Sequence, residues 1–188
     1  MTHPDAGQQD HGGLVRVLRD HIAGGADGLV QAARLLAEVA HEGQVDKAGQ
    51  PYTGHPERVA GHVKDIGGQV EAVTAAWLHD TVEDTWVTPG FLAEAGFPHS
   101  VISAVDAVTK RTGEPTQDYV ARITADPLAV MVKRADLADN TDPRRLGVLD
   151  PTVRARLTRK YQTFTAALDA AVRGNQSPPS TMDSAATI

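Results

Sequence analysis

The chain has 188 residues, 41% of them hydrophobic and 22% charged, with a formal charge of −6 and no cysteine. That length supports one core without disulfides, and the lack of cysteine excludes a thiolate nucleophile, a disulfide scaffold and any Cys-ligated metal site. The acidic balance argues against broad nucleic-acid binding, which needs a basic surface. No stretch reaches the roughly 18 uninterrupted apolar residues of a membrane span, and MTHPDAGQQDHGG lacks the basic start and apolar run of a signal peptide. A cytoplasmic protein with neither nucleic acid nor membrane as partner is expected.

Residues 1–13 read as a polar, Gly-rich tail and 175–188 as a Ser/Pro-rich one, leaving 14–174 as a single domain. Leu29, Ala33, Leu36 and Ala40 recur at helical spacing and predict an amphipathic helix over about 28–42. His55, Val59, His62 and Ile66 line up on a second, over 56–66. Val70–Leu78 (VEAVTAAWL) is apolar nearly all round, which belongs at the centre of a globule. Val101, Val105 and Val108 predict a helix over 98–109, and Leu128–Ala138 is apolar apart from Lys133, Arg134 and Asp136. The last helix carries Val153, Leu157, Tyr161, Phe164, Leu168 and Val172 on one face. Starts are marked by a polar residue before proline, at His55-Pro56, Thr88-Pro89, Asp126-Pro127 and Asp150-Pro151. Proline loses nothing at the first helical position, where its missing N–H would have no partner. With no strand signal and no internal repeat, an all-α domain of seven to nine helices is expected.

Both central helices run into acid. Asp136 continues the stripe of Ala129 and Val132, and Asp80 that of Val70, Val73 and Trp77, with His79 beside it. An ionised carboxylate so placed costs several kcal/mol unless it is paired, hydrogen-bonded or coordinates a metal. One divalent cation held by His55, His79, Asp80 and Asp136 would satisfy all these groups at once, and two imidazoles with two carboxylates suit manganese, iron or zinc. Glu83 and Asp84, one turn further on, are placed to act on water there. The plainer alternatives are an Asp136 paired with Lys133 or Arg134, and a solvated loop at Glu83 and Asp84. His62 reads as a core or supporting residue; His3, His11, His21 and His99 read as incidental.

The order H...HD...D, here His55, His79-Asp80 and Asp136, resembles the HD superfamily of metal-dependent phosphohydrolases. More narrowly, His79-Asp80-Thr81-Val82-Glu83-Asp84 resembles the HDxxED signature of the ppGpp hydrolase domain in RelA/SpoT-type stringent-response proteins and their small single-domain relatives. AHEGQVDKAGQPYTGHPERVA at 40–60 is similar to the family's H-x-G-Q...K-x-G-x-P-Y-x-x-H-P segment. VKRADLADN at 132–140 is similar to its V-K-x-A-D...N helix, and Arg159-Lys160-Tyr161 sits where its last helix has a K-Y pair. The resemblance spans roughly 28–170. It implies a compact multi-helix bundle around one metal, manganese first, with iron or zinc as alternatives.

By the same resemblance His55, His79, Asp80 and Asp136 are the metal ligands, Glu83 and Asp84 the catalytic acid pair, and Lys47 and Asn140 contacts to a small phosphorylated nucleotide. Two departures stand out. Asp46 occupies the position where the family's hydrolases carry an arginine that packs on guanine. TDPRRL follows Asn140 in place of M-R-T-L, although Arg144 and Arg145 could still meet phosphate. The expected reaction is loss of the 3′-pyrophosphate of (p)ppGpp, without synthesis. The alternatives are a phosphohydrolase for another substrate, such as the 2′-phosphate of NADPH, a nucleoside phosphate or a pathway intermediate, and a nucleotide-binding module without turnover.

Overall fold

The computed structural model describes residues 11–176; of the tails expected at 1–13 and 175–188, residues 1–10, His3 included, and 177–188 lie outside the described residues. Within them the chain forms eleven helices: α1 (His11–Ile22), α2 (Ala26–Ala40), α3 (Gly54–Asp65), α4 (Val70–Leu78), α5 (Thr81–Asp84), α6 (Pro89–Glu94), α7 (His99–Val108), α8 (Thr116–Thr124), α9 (Pro127–Asn140), α10 (Pro143–Gly147) and α11 (Pro151–Gln176). The number exceeds the expected seven to nine because α5, α6 and α10 are one-turn pieces too short to show a period. The only strand-like pairing among the described residues is an isolated bridge between Val45 and Pro51. No helix among them is long and apolar enough to cross a membrane.

The proline starts hold at three of the four expected places. Thr88 Oγ1 accepts from the Phe91 amide, Asp126 from Leu128 and Ala129, and Asp150 from Thr152 and Val153. Each supplies an acceptor to amides that have no intrahelical partner. At His55-Pro56 the helix already begins at Gly54, which places His55 inside α3 rather than ahead of it. A further start of this kind, Asp142-Pro143, opens α10, with Asp142 accepting from the Arg144 amide.

Helix α4 is the axis of the molecule. Every residue from Ala72 to Leu78 is buried, and the helix packs against α2, α3, α7 and α9. The hydroxyl of buried Thr74 is satisfied by the Val70 carbonyl at 2.7 Å. Its neighbour α3 buries His55, Pro56, Val59, Ala60 and Val63, while Ile66 is 60% exposed. The expected stripe therefore drifts off the core at its last member. There α3 ends in a glycine cap: Gly67, at φ 82°, donates to Lys64 O and Gly68 to Val63 O, the paired bonds that close a helix through a left-handed residue. The α1–α2 corner depends on a glycine for another reason. A Cβ on Gly28 would stand 1.9 Å from the His21 carbonyl oxygen.

Helix α1 starts within the segment expected to be a tail, and the ring of His11 stacks on Trp86 at 4.2 Å between centroids. At the other end α11 continues to Gln176, two residues past the expected boundary. Its Leu157, Tyr161 and Leu168 are buried.

Candidate active site

The end of α4 explains the HD dipeptide. The helix stops at Leu78, Thr81 Oγ1 closes the turn by donating to Leu78 O at 2.7 Å, and His79 Nδ1 lies 2.7 Å from Ala76 O. A carbonyl can only accept, so Nδ1 carries the proton and Nε2 is left with its lone pair outward. His55 is held in the same way from α3: its Nδ1 lies 2.7 Å from Asp139 Oδ2, a buried carboxylate on α9. The two Nε2 atoms face each other at 3.3 Å. Asp80 Oδ2 is 3.0 Å from one and 3.5 Å from the other. Asp136 Oδ1 approaches them at 3.3 Å (His55) and 3.9 Å (His79).

Two imidazoles whose Nδ1 protons are already committed cannot hydrogen-bond through facing Nε2 lone pairs. They need a proton or a cation between them. His55, His79 and Asp80 each offer a ligand atom within 4.8 Å of the others, and the partners on Nδ1 are of the kind that orient metal-bound histidines. The donor set therefore fits a divalent metal. Without one, burial disfavours charge on His55, but the hydrogen bonds that its ring donates to Asp136, Asp139 and Asp80 outweigh it and push its pKa up to about 11. Asp136 is held below the usual carboxylate range against the opposing effect of burial, chiefly by the Lys133 ammonium and then by His55. Metal uptake must displace protons from this cluster.

Asp136 combines both roles weighed for it. Its Oδ2 pairs with Lys133 Nζ at 2.8 Å, while Oδ1 faces the imidazoles and also accepts from the Asn140 amide. Asn140, expected at the nucleotide, is thus engaged with Asp136, and Tyr161 Oη donates to its Oδ1 at 3.4 Å. Asp139 went unnoticed in the sequence. It is 1% exposed and joins His55 to Arg58 Nε at 2.7 Å and to Arg145. Its one sequence signal was its place three residues after Asp136, on the same face of a helix.

Glu83 and Asp84 line the mouth of the site from α5. Glu83 Oε2 accepts from the Lys110 amide at 2.7 Å. Tyr52 donates to Asp80 Oδ2 at 2.5 Å and reaches Asp84 Oδ2 at 3.5 Å. Both acids are pushed up in pKa, first by burial and then by the charge on Asp80. The H-x-G-Q segment supports this wall: His41 Nδ1 meets Gln44 Oε1 at 2.9 Å, and Gln44 Nε2 donates to the Asp84 carbonyl at 3.0 Å. The His41 ring packs on Tyr52 at 4.7 Å.

These groups open into a cleft of about 750 Å³. Lys47, Lys110, Lys133 and Lys160 converge on it from four separate parts of the chain. The Lys160 ammonium is lowered in pKa by burial and then by Lys47, Lys133 and Lys110, so the four feel one another. Lys47 and Arg144, named from the sequence as candidate substrate contacts, line the cleft. Arg145 lines it too, but is already tied to Asp139 and lies 3.5 Å from Asp46. Asp46 meanwhile accepts from the Ala48 and Gln50 amides at 2.8 and 3.0 Å, shaping the loop that carries Lys47.

Fold and site together define an all-α domain with a buried His/Asp cluster suited to a divalent cation at the foot of a lysine-walled cleft. A family profile described as HD domain matches residues 33–139, and the chain belongs to that family. The match contains His55, His79, Asp80 and Asp136 and ends before Asn140, Arg144 and Arg145. Among curated relatives, a guanosine-3′,5′-bis(diphosphate) 3′-pyrophosphohydrolase of Haemophilus influenzae is 37% identical over 137 residues, 67% of this chain and 20% of that protein. The bifunctional (p)ppGpp synthase/hydrolase SpoT of Escherichia coli is 32% identical over 142 residues, 70% of this chain and 20% of the relative. The chain thus spans about a fifth of the length of these relatives. A solved structure described as "A metazoan ortholog of SpoT hydrolyzes ppGpp and plays a role in starvation responses" superposes with a TM-score of 0.62 at 21% identity, covering 93% of this chain and 89% of the other. At that identity the likeness concerns the fold.

Proposed function

We propose that this chain is a divalent-metal-dependent phosphohydrolase of the cytoplasm that removes the 3′-pyrophosphate of (p)ppGpp, giving GDP or GTP and pyrophosphate. The observation that carries it is one cleft holding opposite chemistries: a His55, His79, Asp80 and Asp136 cluster fit for a cation, facing four converging lysines fit for a phosphate chain. In a chain of net charge −6, lysines so gathered favour an anionic ligand locally. A bound divalent cation, manganese first to be tested, would supply Lewis acidity to a phosphoryl oxygen and to water.

The protein's own groups supply the rest. Glu83 and Asp84 orient water and accept its proton, both being raised in pKa toward the range where a carboxylate can take one up. The water oxygen bonds to phosphorus, the bond from that phosphorus to the ribose 3′ oxygen breaks, and the ribose oxygen takes a proton as pyrophosphate leaves. Lys110, Lys133 and Lys160 hold the charge of the departing group.

Asp46 favours a second reading. Its carboxylate is committed to backbone amides and to Arg145, so position 46 itself brings no cation to a guanine face. A different phosphorylated compound, NADPH at its 2′-phosphate or a nucleoside phosphate, would then be the substrate of the same chemistry. A panel of ppGpp, pppGpp, NADPH and common nucleotides, assayed with Mn²⁺ and followed by release of pyrophosphate or phosphate, decides the matter. Pyrophosphate from ppGpp is expected; phosphate from another member alone would move the assignment to the second reading, and no release from any would overturn both.

A further inference from the structure

Helix α11 and the segment leading into α8 enclose a second groove, of about 670 Å³. It shares Lys110, Lys160 and Phe164 with the main cleft and adds Arg156, Arg159, Thr116 and Thr163. Arg156, Arg159, Lys160 and Thr163 follow one another at i, i+3, i+4 and i+7, so they form one face of α11. Among the described residues Lys110, Arg156, Arg159 and Lys160 form no ion pair, unlike Arg34, Arg111, Arg122, Arg134 and Arg145. In a chain with 24 acidic and 18 basic residues, four cations without an ion pair around one concavity concentrate positive charge there. The other side of the groove starts α8, at Thr116, whose N-terminus has no side-chain cap and adds the positive end of the helix dipole.

We propose that this groove is a second anion site, that it takes a chain of phosphate groups, and that it is coupled to the metal-bearing cleft through Lys110 and Lys160. Its ligand is either the remote phosphates of the molecule held in the cleft or a separate nucleoside or inorganic polyphosphate. The coupling follows from the shared walls. Two ammonium groups serve two anions, so a phosphate chain in the groove draws them from the cleft and adds its own negative charge nearby. A separate groove ligand therefore weakens cleft binding, and by linkage the cleft ligand weakens groove binding by the same factor.

The test is a calorimetric titration of the full chain with inorganic tripolyphosphate in the presence of a chelator, which needs no turnover. Arg156 and Arg159 line the groove and not the cleft, and both are exposed, so R156A/R159A should fold normally, as circular dichroism would verify. Wild type should bind at two sites, and the double variant should lose one of them or bind there at least tenfold more weakly. An identical isotherm in the folded double variant overturns the proposal. Kinetics with a cleared nucleotide separates the two sources. If KM rises in the variant for the member with more phosphates alone, the groove serves the remote end of the cleft ligand. If KM is unchanged and inhibition by tripolyphosphate is lost, it serves a second molecule. Because the isotherm is read without metal or hydrolysis, failure of the hydrolytic assignment would leave this result interpretable.

Discussion

The floor of the cleft and its wall handle charge in opposite ways. On the floor His55, His79, Asp80, Asp136 and Asp139 are packed between α3, α4 and α9, and each has a partner for its polar atoms within hydrogen-bond reach. Arg58 and Lys133 balance two of the carboxylates from outside. On the wall Lys47, Lys110 and Lys160 stand together and, among the described residues, form no ion pair. A buried cluster must be internally satisfied or it would destabilise the fold. An exposed one can stay unbalanced, at small cost in high dielectric, and keep its attraction for a ligand. Compensation thus marks what the fold must hold, and its absence marks what it waits to bind.

Substitutions can break this contrast at graded depths. Asp80→Ala removes a proposed metal ligand that also anchors Tyr52, and bound metal should fall from about one per chain to none with turnover lost, as metal analysis of the purified protein would show; full metal content would remove the floor as a candidate metal centre. Glu83→Gln should keep the metal yet slow turnover by about two to four orders of magnitude, and an unchanged kcat would remove its role. Asp139→Asn keeps shape but leaves His55 Nδ1, Arg58 and Arg145 without their anion; metal affinity should drop about 10- to 100-fold, read by competition with a chelating dye. Lys160→Ala should leave metal content untouched and raise KM about tenfold, the equivalent of roughly 1.4 kcal/mol in binding, with less effect at high salt. A change in metal content instead would show that wall and floor are one unit.

The smallest effect concerns the support of that wall. Arg122 bonds the carbonyls of Asp106, Ala107 and Thr109 at the end of α7 and pairs with Glu114 at 2.7 Å, which steadies the turn bearing Lys110. The hydrogen bond from Arg122 is the main cause holding Glu114 below its ordinary pKa. A depressed carboxylate contributes stability that is present above its unfolded pKa of about 4.3 and is lost as pH falls through the lower folded value. Acid titration below about pH 4 should therefore cost wild type more melting temperature than Glu114→Gln, and parallel curves would deny the pair this role.

Much of the floor was legible in the chain itself. Apolar periodicity placed Asp80 and Asp136 on buried faces, a carboxylate there demands compensation, and the spacing of His55, His79-Asp80 and Asp136 resembled one known answer to that demand. Proline starts and the uniformly apolar Val70–Leu78 located the central helices closely for the same reason: capping and burial act within a few residues of the positions that encode them. What tertiary structure alone decided is which faces meet. Asp139 looked like an ordinary acid at a helix end until α3 brought His55 and Arg58 against it, 84 and 81 residues away in the chain. Arg145 looked free for phosphate until Asp139 and Asp46 were seen to engage it. The lysine wall, drawn from residues 47, 110 and 160, has no local pattern at all. Periodicity reports the environment of each face, whereas a cleft is a relation between faces, and only the packing of the helices sets that relation.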